Sequence, residues 1–358
     1  MRLTRLEVRD LRILRSVSLR PHPTLNVIAG GNAAGKTSIL EAIHVLGTGR
    51  SFRSRDVEPL VRWESTELSV FGEVLEPAGT LRRIGVVKGG PESRIRLDGQ
   101  DVPGAAVVAR LMPLAVFAPD SLEIVEGSPG QRRSLMDWAL FHVEPEYGAS
   151  ILRCRRSLRQ RNAALRSGSP RRSAAVWEHE LCEEADCIDA WRAKYAEEVL
   201  PFVRETLARL TGVPLQILYR RGWPAGESLA DALDRTWAAD AARGWTSHGP
   251  HLADLALQVS GHAARETLSR GEKKALAAAI MLGHVEYVRS TCSRQPVLLV
   301  DDFPSELDAR AREWLLEGIR ATGCQSFLTV LEPSVLSLPA GTACAMFHVE
   351  QGCLTELV

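Results

Sequence analysis

No apolar run in this chain approaches the roughly eighteen residues that a membrane-spanning helix needs, so a soluble protein is expected. The first ten residues, Met1 to Asp10, are charged throughout and give no sign of a secretory signal, which makes the cytoplasm the expected location. Seven cysteines are scattered, odd in number and without a C-x-x-C pair; neither a disulfide framework nor a zinc site is expected. Lysine is scarce. Only Lys36, Lys88, Lys194, Lys273 and Lys274 occur, so 39 of the 44 basic residues are arginine. Arginine's fork suits phosphate, although a GC-rich coding bias, also suggested by abundant alanine, produces the same excess. The formal net charge is zero, so no global field draws the chain to a polyanion, and a local patch must do so. Internal repeats, low-complexity tracts and the three or four successive heptads of a long coiled coil are also missing. What remains is a 358-residue chain, 45% hydrophobic and 25% charged, with enough length for one large domain or two ordinary ones.

One stretch organises the rest. Thr24 to Ala29 is apolar and strand-like, Gly30-Gly31-Asn32-Ala33-Ala34-Gly35-Lys36-Thr37 fits G-x-x-x-x-G-K-T, and Ser38 to Ile43 opens an apolar helix. Such a loop curls at its glycines so that successive N–H groups and the helix N-terminus, through Ser38, face one anion. Lys36 adds a charge for the outer phosphates, and the Thr37 hydroxyl is the expected ligand of magnesium. ATP with Mg2+ is therefore the expected cofactor. Ala33 carries a side chain inside this turn, and it is expected to need a negative φ.

Residues 2 to 9 and 14 to 20 alternate apolar and polar as a hairpin would. Three further strand-like runs fall between Leu68 and Leu97, with Asp98-Gly99 as a turn. From Ser121 to about Ala242 helical periodicity dominates. Strands return at Asp254–Val259, a helix follows from Ser269 to Val288, and Pro296–Val300 reads as a buried parallel strand with further strands at 326–330 and 345–349. The expected fold is α/β: a P-loop ATPase head with an antiparallel β layer and a helical second lobe, whose class the remaining motifs decide. Residues 1–119 and 291–358 would form the ATPase lobe, and 120–290 the helical lobe.

A phosphate loop needs an acidic partner. Val297-Leu-Leu-Val-Asp301-Asp302 is a hydrophobic strand ending in two carboxylates, although in isolation it also reads as an Asx-type turn. Asp301 would hold the magnesium through its water shell, and Asp302 stands where a general base for the attacking water is wanted. Leu268-Ser269-Arg270-Gly271-Glu272 precedes the long helix. Ser269 and Glu272 have capping-box spacing, and the same helix start could serve as a second anion site. Leu-Ser-x-Gly-Glu ahead of a hydrophobic-Asp-Asp strand, with Ser305-Glu306-Leu307-Asp308 in the place of a D-loop, is the motif order of ABC-type ATPases.

Across nearly its whole length the chain resembles the RecF family, bacterial recombination-mediator ATPases built like the heads of SMC proteins without their coiled coils. The resemblance is carried by Asp10-Leu11-Arg12, Leu40-Glu41-Ala42-Ile43, Gly49-Arg50-Ser51-Phe52-Arg53-Ser54, Pro119-Asp120, Gly127 to Arg133, Asp137, Arg159 to Leu165, His248-Gly249-Pro250-His251 and Asp254, besides the ATPase motifs. It implies a homodimer that forms with ATP, each nucleotide lying between the phosphate loop of one copy and Ser269 and Gly271 of the other. Arg12 would contact phosphates within its own chain. Lys36, Asp302 and Ser269 are the catalytic candidates. The implied function is ATP-dependent binding of duplex DNA near single-strand gaps, where RecO and RecR help load the recombinase RecA, with slow hydrolysis as a timer.

The DNA surface is expected on a basic helix. No acid occurs between Glu146 and Glu178, while Arg153, Arg155, Arg156, Arg159, Arg161, Arg166, Arg171 and Arg172 do. Ile151, Leu158 and Leu165 would form its packed stripe and leave most arginines outside, facing either phosphate or solvent. Arg53 is a further candidate, with surface ion pairing as its alternative. Two ABC features are missing: a glutamine near Phe117–Pro119 and a histidine after Thr329, so the usual γ-phosphate switch is absent or played by Thr329. Their absence weighs against the alternative of a transporter's ATP-binding subunit. A small-molecule P-loop kinase, the other alternative, has no use for residues 268–272. His248 and His251 have no assigned role.

Overall fold

The computed structural model describes residues 1–90, 92–208, 212–292, 294–302, 307–336, 338–339 and 341–357. These fall into two compact units, one of Met1–Ser121 with Val288–Val358 and the other of Leu122–Tyr287. The first half of the expected D-loop, Ser305 and Glu306, lies outside the described residues.

The first unit holds two six-stranded sheets. One is antiparallel, built from β1 (Arg2–Leu11), β2 (Leu14–Leu19), β4 (Leu68–Leu75), β5 (Leu81–Lys88), β6 (Arg94–Leu97) and β7 (Gln100–Asp101) in the order β2-β1-β4-β5-β6-β7. Its strands alternate buried and open residues, as in β4, because one face covers a core and the other meets water. The second sheet runs β15-β14-β3-β13-β12-β8 and comprises β3 (Leu25–Ala29), β8 (Leu114–Phe117), β12 (Val297–Val300), β13 (Ser326–Val330), β14 (Cys344–Glu350) and β15 (Cys353–Leu357). All its neighbours are parallel except the β14–β15 hairpin. The central strands β3, β12 and β13 are buried at every position, which matches their unbroken apolar runs.

Helix α1 (Lys36–Thr48) lies in the core shared by these sheets. Ile39, Leu40, Ile43 and Leu46 pack with Leu3, Leu6 and Val70 of the antiparallel sheet and with Val297, Leu299, Phe327 and Phe347 of the parallel one. Gly72 on β4 allows this approach, since a Cβ there would stand 2.3 Å from Leu46 Cδ2. The unit also carries α2 (Ala105–Leu111) and α10 (Ala309–Ala321). Asp308 caps α10 by accepting the Ala311 amide at 2.8 Å.

The second unit is mainly helical: α3 (Glu123–Glu126), α4 (Pro129–Val143), α5 (Tyr147–Arg166), α6 (Arg171–Ala208), α7 (Leu229–Arg243), α8 (Ala264–Thr267) and most of α9 (Arg270–Thr291). It also holds a small antiparallel sheet, β11-β10-β9, of β9 (Leu215–Arg220), β10 (Asp254–Val259) and β11 (His262–Ala263). β9 falls inside the stretch expected to be helical. Its six residues find register with β10 from Leu215↔Val259 to Arg220↔Asp254, so a pairing partner some forty positions away decides the conformation.

Candidate nucleotide site

The site of the first unit lies at the carboxyl ends of β3, β13 and β12, where open α/β sheets bind ligands. Residues 30–35 leave β3 and enter α1 at Lys36. Gly30 admits no side chain, because its Cβ would meet the Val349 carbonyl oxygen at 2.3 Å. Gly35, at φ 115°, lies under Ile13 of the β1–β2 turn and Leu14 at the start of β2. The Gly352 amide donates to Ala34 O at 2.9 Å. Two neighbouring turns therefore fix the loop, while Gly31, Asn32 and Ala33 stay exposed. Ala33 sits at φ 60°, which corrects the expected negative value. The curl that aims the amides at an anion demands the left-handed conformation there, and alanine accepts it at a cost of about 1 kcal/mol.

Lys36 Nζ donates to the Gly30 and Gly31 carbonyls, both at 2.8 Å. Burial lowers its pKa, while the Asp302 and Asp301 carboxylates act to raise it. The Thr37 hydroxyl lies 2.9 Å from Asp301 Oδ1 and 3.0 Å from Oδ2. Ser38 is buried in the first turn of α1.

Thr329, a candidate for the place of the missing histidine, has a role that the sequence alone does not show. The strand order places β13 between β3 and β12, and its register pairs Leu328 with Val300, so Thr329 stands level with Asp301. Its fully buried hydroxyl donates to Asp301 Oδ1 at 2.8 Å and accepts the Asp302 amide at 2.6 Å. One side chain thus orients both acidic residues, and Asp302 itself adopts φ 49°.

Hydroxyl and carboxylate oxygens beside an amide-lined loop are the donors a hard divalent cation prefers, so Thr37 and Asp301 fit magnesium. Arg12, at φ 53° in the β1–β2 turn, pairs with buried Glu41 of α1 at 2.9 and 3.0 Å. Arg53 is exposed.

In the second unit Ser269 and Glu272 form the capping box. The Ser269 amide and hydroxyl donate to Glu272 Oε2 at 2.9 and 2.7 Å, and these bonds lower the Glu272 pKa. Both Ser269 and Gly271 are exposed at the start of α9.

The basic helix is α5, and its packed line differs from the expected one. Tyr147, Ser150, Cys154, Ser157, Arg161 and Leu165 are buried, whereas Ile151 and Leu158 are only half-buried. The reason lies on α6 and α7, which supply acids to a polar seam. Ser150 and Ser157 donate to Glu184 and Glu180, and Arg161, fully buried, pairs with Glu178 at 2.9 Å and Asp240 at 3.0 Å. Arg161 is therefore a core residue rather than part of a basic exterior. Arg153 pairs with Glu184, Arg155 reaches Asp137 at 3.3 Å, and Arg156 lies over the Trp177 ring. Arg159 is exposed.

Motif residues elsewhere in this unit also serve its architecture. Arg132 forms a fork with Asp254 at 2.7 and 3.2 Å. Arg192 joins Tyr147, Asp137 and the Pro250 carbonyl at 3.0, 2.7 and 2.7 Å. His251 lies 3.1 Å from the Thr246 carbonyl.

Comparison with known proteins bears on these geometries. The family model described as the RecF/RecN/SMC N terminal domain matches residues 2–355. The DNA replication and repair protein RecF of Pseudomonas paraeruginosa is 40% identical over 361 residues, covering 99% of this chain and 98% of the relative. RecF of Stutzerimonas stutzeri is 41% identical over 362 residues, covering 100% and 98%. A solved structure of the recombination mediator protein RecF with ATP in the RecFOR pathway superposes with a TM-score of 0.88 at 25% identity, covering 100% of this chain and 98% of that one. An Smc head bound to the C-winged helix domain of ScpA, at a TM-score of 0.61 and 15% identity over 100% and 97% of the chains, shares the fold alone. With its phosphate loop, double-aspartate strand and capped signature helix in an SMC-type ATPase head, the chain belongs to the RecF family.

Proposed function

We propose that this chain is an ATP-dependent DNA-binding protein of recombinational repair, an ATP-driven homodimer that binds duplex or gapped DNA and helps RecO and RecR load RecA. Family membership supports repair and ATP hydrolysis, and the contact of Thr37 with both oxygens of Asp301 carries the nucleotide reading. In this reading the loop from Gly30 to Ser38 cradles the phosphates, Lys36 neutralises them, and Thr37 and Asp301 hold magnesium. Bound magnesium supplies charge to the phosphate oxygens. Asp302 takes a proton from water as the water oxygen attacks the γ-phosphorus and the bond to ADP breaks. Thr329 holds the Asp301 carboxylate and the Asp302 backbone in place.

Ser269 and Gly271 act on the nucleotide of a second copy, and Arg12 on phosphate in its own. Residues 1–119 and 291–358 form the ATPase lobe and 120–290 the helical lobe. A cytoplasmic location belongs to this reading, and no helix among the described residues is long and apolar enough to cross a membrane. On α5, Arg156 and Arg159 are the stronger DNA candidates, since Arg153 and Arg155 pair with acids; Arg53 is a separate one.

The test is retention of a gapped duplex with ATP, with ADP and without nucleotide. ATP-dependent retention that Lys36→Arg loses supports the reading; equal retention in all three conditions contradicts it.

A further inference from the structure

Glu41 has more partners than a helix-interior carboxylate requires. It lies on α1 four residues beyond Thr37 and is fully buried. Its Oε2 accepts Arg12 Nε at 3.0 Å, its Oε1 accepts Arg12 Nη2 at 2.9 Å, and Oε1 also accepts the Ser51 hydroxyl. Ser51 Oγ in turn accepts the amides of Arg53 and Ser54 at 2.9 and 3.0 Å. Three residues farther along α1, the His44 ring stands 2.7 Å from the Arg50 carbonyl and edge-on to Phe52. Residues 50–54 are thus hung from the helix that begins at the phosphate loop.

The other edge of the Arg12 guanidinium has a different contact. Nη1 donates to the Pro59 carbonyl at 2.6 Å where the bond is exposed, and the Arg12 amide donates to Leu60 O at 2.7 Å. A guanidinium gripped along one edge by a buried carboxylate holds its orientation. A phosphate oxygen is a stronger acceptor than a peptide carbonyl, so it can take Nη1 from Pro59 without breaking the Glu41 fork.

We propose that Glu41 is a positioning residue for the nucleotide: it orients Arg12 toward phosphate and, through Ser51, transmits occupancy of the site to the 50–60 loop that bears Arg50, Arg53 and Arg55. The inference rests on reading Gly30–Thr37 as an ATP site, and its test separates the two. A fluorescent ATP analogue reports affinity, and hydrogen exchange of peptides from residues 50–60 reports the loop, each with Mg2+ and a non-hydrolysable analogue.

In the wild type, analogue binding should change exchange in this loop by about threefold or more. Ser51→Ala should bind within about twofold of wild type yet lose that response at residues 51–54, because the link from Glu41 to the Arg53 and Ser54 amides is cut while the Arg12 fork stays. Glu41→Gln keeps the shape but halves the fork, and should weaken affinity roughly tenfold, with Glu41→Asp restoring part of it. A full loop response in Ser51→Ala, or unchanged affinity in Glu41→Gln, would overturn the inference while leaving the ATP site standing. A wild type that binds no analogue would remove the ATP site itself.

Discussion

Thr37 and Asp301, 264 positions apart in the chain, meet through one hydroxyl lying 2.9 and 3.0 Å from the two carboxylate oxygens. The contact joins the start of α1 to the end of β12 and sets the oxygen donors where magnesium is expected. Thr37→Val should abolish Mg2+-dependent gain in ATP affinity, read by titration with and without the metal. Asp301→Asn should do the same. A metal-dependent gain that survives both changes contradicts the assignment.

Thr329 gives a sharper expectation about the acidic pair. Thr329→Val keeps the volume but leaves the Asp301 carboxylate and the Asp302 amide each short of one partner, a loss of about 1–3 kcal/mol in stability. Thr329→Ser should recover most of that loss and of the ATPase rate. Equal behaviour of the Val and Ser variants would show that the hydroxyl has no part in holding the pair.

Ala33 tests the conformation of the phosphate loop. At φ 60° glycine relieves strain but adds freedom to the unfolded chain, so Ala33→Gly should leave stability unchanged or raise it by up to about 1 kcal/mol. Ala33→Val should destabilise by about 1–2 kcal/mol, because a β-branched residue resists positive φ. Thermal unfolding of both variants decides the matter, and the opposite order would contradict the loop geometry.

The acid limb of stability should report His284. This residue is buried on α9, with the Ile280 carbonyl 2.6 Å from Nδ1, and burial pushes its pKa down from 6.5 to about 4. The unfolded chain therefore binds a proton that the folded one refuses between those values. Stability is full above pH 6.5 and falls as pH drops toward 4, by on the order of a few kcal/mol. His284→Leu should flatten that part of the pH profile, whatever its effect at pH 8. An unaltered slope would assign the acid transition to other groups.

The ATPase motifs were legible because their chemistry is written in neighbouring residues: a glycine turn needs its glycines, and a capping box needs Ser269 and Glu272 three apart. Thr329 was not legible as a clamp on both aspartates, since only the strand order brings β13 beside β12. Arg161 read as part of a basic exterior, yet Asp240, 79 positions away, makes it a core residue. β9 is hidden from the sequence for the same reason: its partner β10 lies far along the chain. The hairpin of β1 and β2 and the three strands that follow carried their own alternation and turn residues, and they were read correctly.

On α5 the arginines to substitute in a DNA-binding test are Arg156 and Arg159, since Arg161 is buried and Arg153 and Arg155 pair with acids. Arg156→Ala with Arg159→Ala should lower the salt slope of duplex binding by about 1.8 if both neutralise phosphates, with ATP affinity unchanged. An unaltered slope would remove α5 from the interface.

We propose above all that the phosphate loop is half of a site, completed by Ser269 of a second copy. Sedimentation velocity of wild type and Ser269→Arg, with ATP, with ADP and without nucleotide, tests it most directly. Wild type should dimerise with ATP alone and Ser269→Arg should stay a monomer throughout; a wild type that stays monomeric with ATP, or a variant that dimerises equally well, would rule the shared site out.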